Sequence, residues 1–468
     1  MKVHSFSNDV LGTSDAVELA DRIRKKEISA QEVFEASIER AEKVDPHIHA
    51  IAYKNFKPEQ LFTPTQAGGF SGVPLFFKDM VEIKGIPTTY GSAAFTKTFP
   101  SEKNDQLVDQ FLKMGFINLG MSTMPEFGFI CSTEFPHLEN TANPWNTDYS
   151  SGGSSGGAAA LVAAGVIPLA HSADGGGSTR IPANCCGLVG LKATRGRIIP
   201  SKILEVQLHP IAIDGVVTRS VRDTAFFYQE AEQYYHNKKL PKIGRVQANK
   251  RTLTIAYAEE GLSNDIVDDK TRTAFEASIS VLKNLGHELI PVKFPIDEQR
   301  IEDFKLLWAS SGFSVKHLGK LMFSKYYNPN HLTKFTNGLS SYYFNRIWKT
   351  PRMLYRLRKS TKDFDQFLSS QNIDVILTPT MGHTTPPIGY LNMSMDHESG
   401  MSKMSKWACF TPLANANGCP SINLPMYHDA ENDLPIGMSF WANYGNDKLL
   451  LELSYQIEAA APWKKIYE

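Results

Sequence analysis

A chain of 468 residues, 42% hydrophobic and 21% charged, has an ordinary globular composition and ample length to bury a large core. Its 49 Lys and Arg residues balance 49 Asp and Glu, so no net field draws it toward nucleic acid or an anionic membrane. Five cysteines, an odd count with no C-x-x-C pair, argue against a disulfide framework or zinc knuckle and suit a reduced, cytoplasmic, soluble protein.

The N-terminus lacks the continuous apolar segment of a signal peptide. Residues 14–25 and 29–44 then read as two amphipathic helices. The second opens on Ser29-Ala30-Gln31-Glu32, the spacing of a capping box, and Pro46 is expected to end it. Apolar runs of strand length follow at 73–77 and 116–119, with a helix-like stretch at 105–114 between them. The Ala-rich segment 158–164 reads as a helix and 165–170 as a buried strand. Gly165 and Pro168 interrupt this apolar run, which is also too short to span a membrane. Strand 252–257, helix 270–285 and strand 287–292 form a strand–helix–strand unit, which favours a mixed or parallel sheet covered by helices.

Residues 300–360 are aromatic and basic, with helix-like spacing and no obvious strands, and 374–377 is another buried strand. The segment 382–404, rich in His, Pro, Gly, Ser and Met, reads as a long loop, and 420–456 as two strands and a closing helix. No repeat or low-complexity linker divides the chain, so one α/β domain over 1–468 is expected. The N-terminal helical pair leaves a homodimer open.

Two glycine–serine loops, "SSGGSSGG" at 150–157 and "DGGGS" at 174–178, stand out. Both abut apolar segments, unlike flexible linkers. A phosphate cradle needs G-x-x-x-x-G-K-[ST] or G-x-G-x-x-G after a strand, and neither loop supplies it. Gly153-Ser154-Ser155-Gly156-Gly157 fits the G-x-S-x-G nucleophile elbow, but no strand precedes it and Ser155 would need a distant His428 or His383. The remaining reading joins the loops into one site. A serine nucleophile needs a base and backbone N–H groups for the oxyanion, and three glycines before Ser178 let N–H groups converge. Lysine can be the base if burial lowers its pKa. Lys78, between the apolar run 73–77 and Asp79, is a candidate, although the same position fits a strand-end surface lysine.

With Gly72-Val73-Pro74-Leu75-Phe76-Phe77-Lys78-Asp79, "GGSSGG" and "DGGGSTRIPANCCGLVGLKAT" in this order and spacing, the chain resembles the amidase signature family. The resemblance extends to Asn143-Pro144-Trp145, to "GVVTRSVRD" at 215–223, to Thr411-Pro412-Leu413-Ala414-Asn415 and to Leu434-Pro435-Ile436-Gly437. It implies a large mixed β-sheet sandwiched between α-helices, a signature core over about 65–225, and a variable substrate-facing cover over about 300–410. It also implies a Ser–Ser–Lys triad, with Ser178 as nucleophile, Ser154 as bridging serine and Lys78 as base. The oxyanion donors would be the N–H groups of Gly175, Gly176, Gly177 and Ser178. Asp174 and Arg180 would support the loop, Ser155 would hydrogen-bond Lys78 or its neighbours, and Gly128 and Cys131 would contact substrate.

No metal or organic cofactor is implied, and the partner would be a small amide. Ala173 and Gly175 depart from the residues many members carry there. "HSADGGGS", "PANCCGLVGLK" and "QIEAAAPW" resemble most the branch that includes 6-aminohexanoate cyclic dimer hydrolases. Two alternatives stand beside an amidase of that branch. One is the amidase subunit of the glutamyl-tRNA(Gln) amidotransferase. That subunit usually carries Gln where this chain has Ile181, and its "SLDQ" stretch is replaced here by "LHPIAIDG". The other is a non-catalytic binding protein that keeps the fold.

Overall fold

The computed structural model describes residues 1–57, 68–249, 251–260, 267–293 and 298–468. Residues 65–67, the first of the expected signature core, lie outside the described residues. The chain opens with helices Ala16–Arg24 and Ala30–Ile48. The capping box is present: Ser29 Oγ accepts the Glu32 N–H at 3.1 Å, and Glu32 Oε2 accepts the Ser29 N–H at 2.7 Å. Pro46 does not end the helix, which continues to Ile48. In the last turn a proline disturbs little downstream helix. His49 then takes a left-handed φ of 50°, and Asp45 Oδ1 accepts the N–H groups of Ala50 and Ile51 at 2.8 and 3.0 Å.

The strands among the described residues are β1 (Ile51–Lys54), β2 (Pro74–Lys78), β3 (Ile117–Ser122), β4 (Leu169–Asp174), β5 (Val189–Lys192), β6 (Ile213–Thr218), β7 (Thr254–Tyr257), β8 (Glu288–Pro291), β9 (Val375–Pro379), β10 (Ser421–Asp429) and β11 (Leu434–Ala442). Eight of them form one sheet in the order β4-β6-β5-β10-β11-β9-β7-β8, and β1-β3-β2 form a smaller one. The large sheet is mixed. Its β9-β7-β8 edge is parallel and the rest antiparallel. The parallel edge is the expected strand–helix–strand unit, crossed over by helix Asp269–Asn284. Strands β2, β4, β5, β6, β9 and β11 are buried along their whole length, which explains why β2 and β9 read as apolar runs rather than alternations; β5 and β6 do not read as strands in the sequence.

The helix expected at 158–164 runs over Gly156–Ala163, with every residue buried. It is apolar all round because protein surrounds it, not because it crosses a lipid layer. No described helix is long and apolar enough to cross a membrane. The strand expected at 165–170 starts at Leu169, because Gly165 takes φ +81° in a turn against the Phe6 ring and the ladder forms only beyond Pro168. Residues 300–360 are helical as read, within Glu298–Met322, Lys334–Phe344 and Thr350–Ser370. The expected loop 382–404 is wrong from residue 397 on: His397–Trp407 is a helix, capped by Asp396 Oδ1 on the Ser399 N–H at 2.9 Å. Its internal Gly400 hid the helix in sequence. A Cβ there would lie 2.5 Å from the Phe335 ring, so packing requires the glycine.

Candidate active site

Lys78 ends β2 at the point where the small sheet meets the large one. Its backbone N–H donates to His171 Nδ1 in β4 at 3.2 Å. Because Nδ1 accepts, the ring proton sits on Nε2, which faces Asp214 Oδ1 at 3.1 Å. Asp214 also accepts the Ser201 N–H at 2.7 Å. The histidine thus couples the two sheets through a buried chain of hydrogen bonds. Nothing in the sequence reading marked His171 or Asp214, since their roles depend on sheets joined only in the fold.

The side chain of Lys78 turns into the protein, so the reading of a strand-end surface lysine does not hold: it is 2% exposed. Its Nζ lies 2.7 Å from Ser154 Oγ. Burial lowers its pKa to about 7, against the partial opposition of Asp214 and Asp174. Ser154 follows a cis Gly153–Ser154 peptide bond. Ser178 is more open than its two partners, at 7% exposure against 3% for Ser154 and 2% for Lys78. The two glycine–serine loops meet through the Ser155 N–H, which donates to Ser178 O at 3.3 Å. Ser155 Oγ accepts from the Ala173 N–H at 3.3 Å and lies 3.4 Å from Ala173 O. Of the expected partners, then, it takes a backbone neighbour in β4 rather than Lys78 itself.

Asp174 organises the second loop. Its carboxylate accepts from the Gly177 N–H at 2.8 Å, the Thr179 N–H at 3.3 Å, and Arg180 Nε and a terminal guanidinium nitrogen at 2.9 Å each. Burial alone would raise its pKa, yet the Arg180 guanidinium holds it down at about 2. The Gly177 N–H, expected among the oxyanion donors, is therefore committed to Asp174. Of the four expected donors, this leaves the N–H groups of Gly175, Gly176 and Ser178. Gly177 is needed for space as well: its φ is +131°, and a Cβ would lie 2.3 Å from Thr411 Oγ1. Thr411 donates to Gly176 O at 2.7 Å, and Asn415 Nδ2 donates to Asp174 O and Oδ1 at 2.8 and 2.9 Å. These two C-terminal residues lie in the quoted "TPLAN" stretch, although their grip on the loop is a tertiary fact.

From the cover, Trp308 lies over the loop, its indole 3.3 Å from where a Gly175 Cβ would stand, and donates to Phe129 O at 3.2 Å. Cys131 lines the space beside Ser178, and burial pushes its thiol pKa up. All five cysteines are buried. His428 bonds Asp433, and His383 stacks on Trp407. Neither is brought to Ser155, and no strand precedes that residue, so the nucleophile-elbow reading fails. Among the described residues, no group of three His, Cys, Asp or Glu side chains could hold a metal ion.

A family model described as Amidase matches residues 32–451. The chain belongs to the amidase signature family. It is 39% identical over 474 residues to the protein named amidase AmiC of Mycobacterium leprae (strain TN), covering 99% of each chain. It is 28% identical to the 6-aminohexanoate-cyclic-dimer hydrolase of Paenarthrobacter ureafaciens, covering 96% of this chain and 95% of that one. A solved structure of 6-aminohexanoate cyclic dimer hydrolase matches with a TM-score of 0.87 at 27% identity, over 97% of this chain and 98% of that chain. The protein is a hydrolase of this family that acts on amides.

Gly128 packs against the site's serine. Its φ is +71°, and a Cβ would stand 2.8 Å from Ser154 Oγ. Gly128→Ala is therefore expected to push Ser154 off Lys78 and to lower kcat/KM by about 10–100-fold, since displacements below 1 Å are felt in a reacting geometry. Steady-state kinetics with a folded variant checks this. A change below twofold would show that Ser154 has room to spare.

Proposed function

We propose that the protein hydrolyses a small linear or cyclic carboxylic amide through Ser178, Ser154 and Lys78. The observation that carries this reading is a lysine held near neutrality, 2.7 Å from a serine on the loop that joins Ser178. Neutral Lys78 takes the Ser154 proton as Ser154 takes that of Ser178. Ser178 Oγ bonds to the carbonyl carbon, and the carbonyl electrons move onto oxygen beside the N–H groups of Gly175, Gly176 and Ser178. As the C–N bond breaks, Ser154 gives its proton to the nitrogen and is reprotonated by Lys78. An amine leaves and an acyl ester remains. Water then attacks the ester by the same proton route, yielding the acid and restoring Ser178. Positioned proton transfer of this kind is worth about 10²–10⁴-fold in rate.

A fluorophosphonate reporter tests the nucleophile. We expect one label, mapped by peptide mass to Ser178 and absent from Ser178→Ala. Labelling at Ser155 or Cys131 instead would overturn the assignment. A protein that takes no label, although folded, would be the non-catalytic member of the fold.

A further inference from the structure

Two cavities meet at Ser178, and both are bordered by Gly128 and Trp308. Their remaining walls differ in chemistry. One is an apolar chamber walled by Ile130, Ile181, Met404 and Leu413. Charged side chains that also border it are paired within the protein. Arg356 grips Asp303 at 2.5 and 2.6 Å, Arg300 holds Asp363 at 2.8 Å, and Lys305 holds Glu302 at 3.0 Å. The other cavity is a cleft lined by Lys78, Ser154 and Gly175, with Gln207, Ser311 and Ser314 set among apolar side chains such as Met124, Phe127 and Leu318 beyond them. Lys78 and Ser154 border the cleft and not the chamber.

That asymmetry orients a substrate. The group that protonates the departing nitrogen must reach it directly, because an amide nitrogen leaves only as the amine. Ser154 opens on the cleft, so the nitrogen and its substituent lie there. The acyl chain, pointing the other way from the carbonyl carbon, enters the chamber. Water for the second step then arrives through the cleft that the amine has vacated, while the acyl chain stays in apolar surroundings. Resting on the triad proposed above, we infer that the Met404 chamber is the acyl site and the Ser314 cleft the amine site. The substrate is accordingly an N-substituted amide with an extended apolar acyl chain and an amphipathic amine half. Met404 stands on the helix His397–Trp407 and Ser314 on Glu298–Met322, both within the cover.

Two substrate ladders read the assignment in the full-length protein. The first is a set of anilides whose acyl chain grows from acetyl to octanoyl. The second is a set of hexanoyl amides whose amine grows from ammonia to benzylamine. Met404→Trp is expected to cut kcat/KM for octanoyl anilide by at least about tenfold while leaving acetyl anilide within about twofold. It should not change the order of the amine ladder. Ser314→Trp is expected to do the converse, penalising bulky amines by a similar factor and sparing long acyl chains. The opposite pattern, or no effect of either variant on either ladder, overturns the assignment. If a tryptophan variant fails to fold, Met401→Phe and Ser311→Phe repeat the comparison with smaller additions. The two readings fail differently. Turnover that survives Ser178→Ala refutes the triad whatever the ladders show, whereas a triad-dependent enzyme with exchanged ladders refutes only the chamber assignment. Wild type that hydrolyses no member of either ladder refutes both.

Discussion

Lys78→Met is expected to abolish amide hydrolysis and, at the same time, to make the protein more stable. The loss should reach at least about 10³-fold in kcat/KM, because the substitution removes the proposed base while the N–H groups of Gly175, Gly176 and Ser178 remain. Residues that work as one unit are not additive. The double variant Lys78→Met, Ser178→Ala should therefore be no slower than either single one.

The stability gain follows from the same burial. Lys78 titrates near 7 in the fold against 10.5 in the open chain, so between those values the unfolded state binds a proton that the folded state does not. The resulting penalty on wild type is fully present below about pH 7 and vanishes as pH rises toward 10.5. Thermal melting should thus place Lys78→Met above wild type at pH 6 by an amount equivalent to a few kcal/mol, and the two curves should converge near pH 10. Activity of wild type should rise with pH through about 7 as Lys78 loses its proton, and this limb should disappear with the residue. A methionine variant that melts below wild type at pH 6 would mean that the lysine is charged and paired inside the fold.

Asp174→Ala is expected to give the largest loss of stability, because it leaves the Arg180 guanidinium, 0% exposed, without its carboxylate. Removing one partner of a buried ion pair costs about 3–5 kcal/mol. With an unfolding entropy near 1 kcal/mol per kelvin for a chain of this size, Tm should fall by about 3–5 °C. Activity should fall with it, since the Gly177 N–H is released and the loop that carries Ser178 loses its anchor. The pH dependence has the same sign as that of Lys78, stability rising with pH, but here the group contributes stability where Lys78 costs it. A carboxylate held at about 2 against 3.8 contributes stability above pH 4 and loses it as pH drops through 2. Asp174→Asn should flatten that acid limb. Melting curves at pH 7, 4 and 2.5 check both statements. An Asp174→Ala variant as stable and active as wild type would show that Asn415 and Thr411 hold the loop unaided.

The sequence by itself determined the family and the mixed sheet covered by helices, and it singled out Lys78, Ser154 and Ser178 as candidates. Signature loops are local: glycines at fixed offsets and a lysine after an apolar run are visible without the fold. Capping at Ser29 and the strand–helix–strand unit were legible for the same reason, since their causes lie within a few residues. What only the tertiary structure decided depends on neighbours far along the chain. Gly400 is tolerated inside a helix because Phe335 packs on it, so the segment before Trp407 did not read as helical. Gly177 gives its N–H to Asp174, a competition that a list of glycines cannot reveal. His171 and Asp214 matter because two sheets meet at Lys78, and Thr411 and Asn415 because the C-terminal part folds back onto the loop at 174–178. The same holds for the lysine. Its identity and place are written in the chain, but its near-neutral pKa comes from complete desolvation, which exists only once both sheets have closed around it.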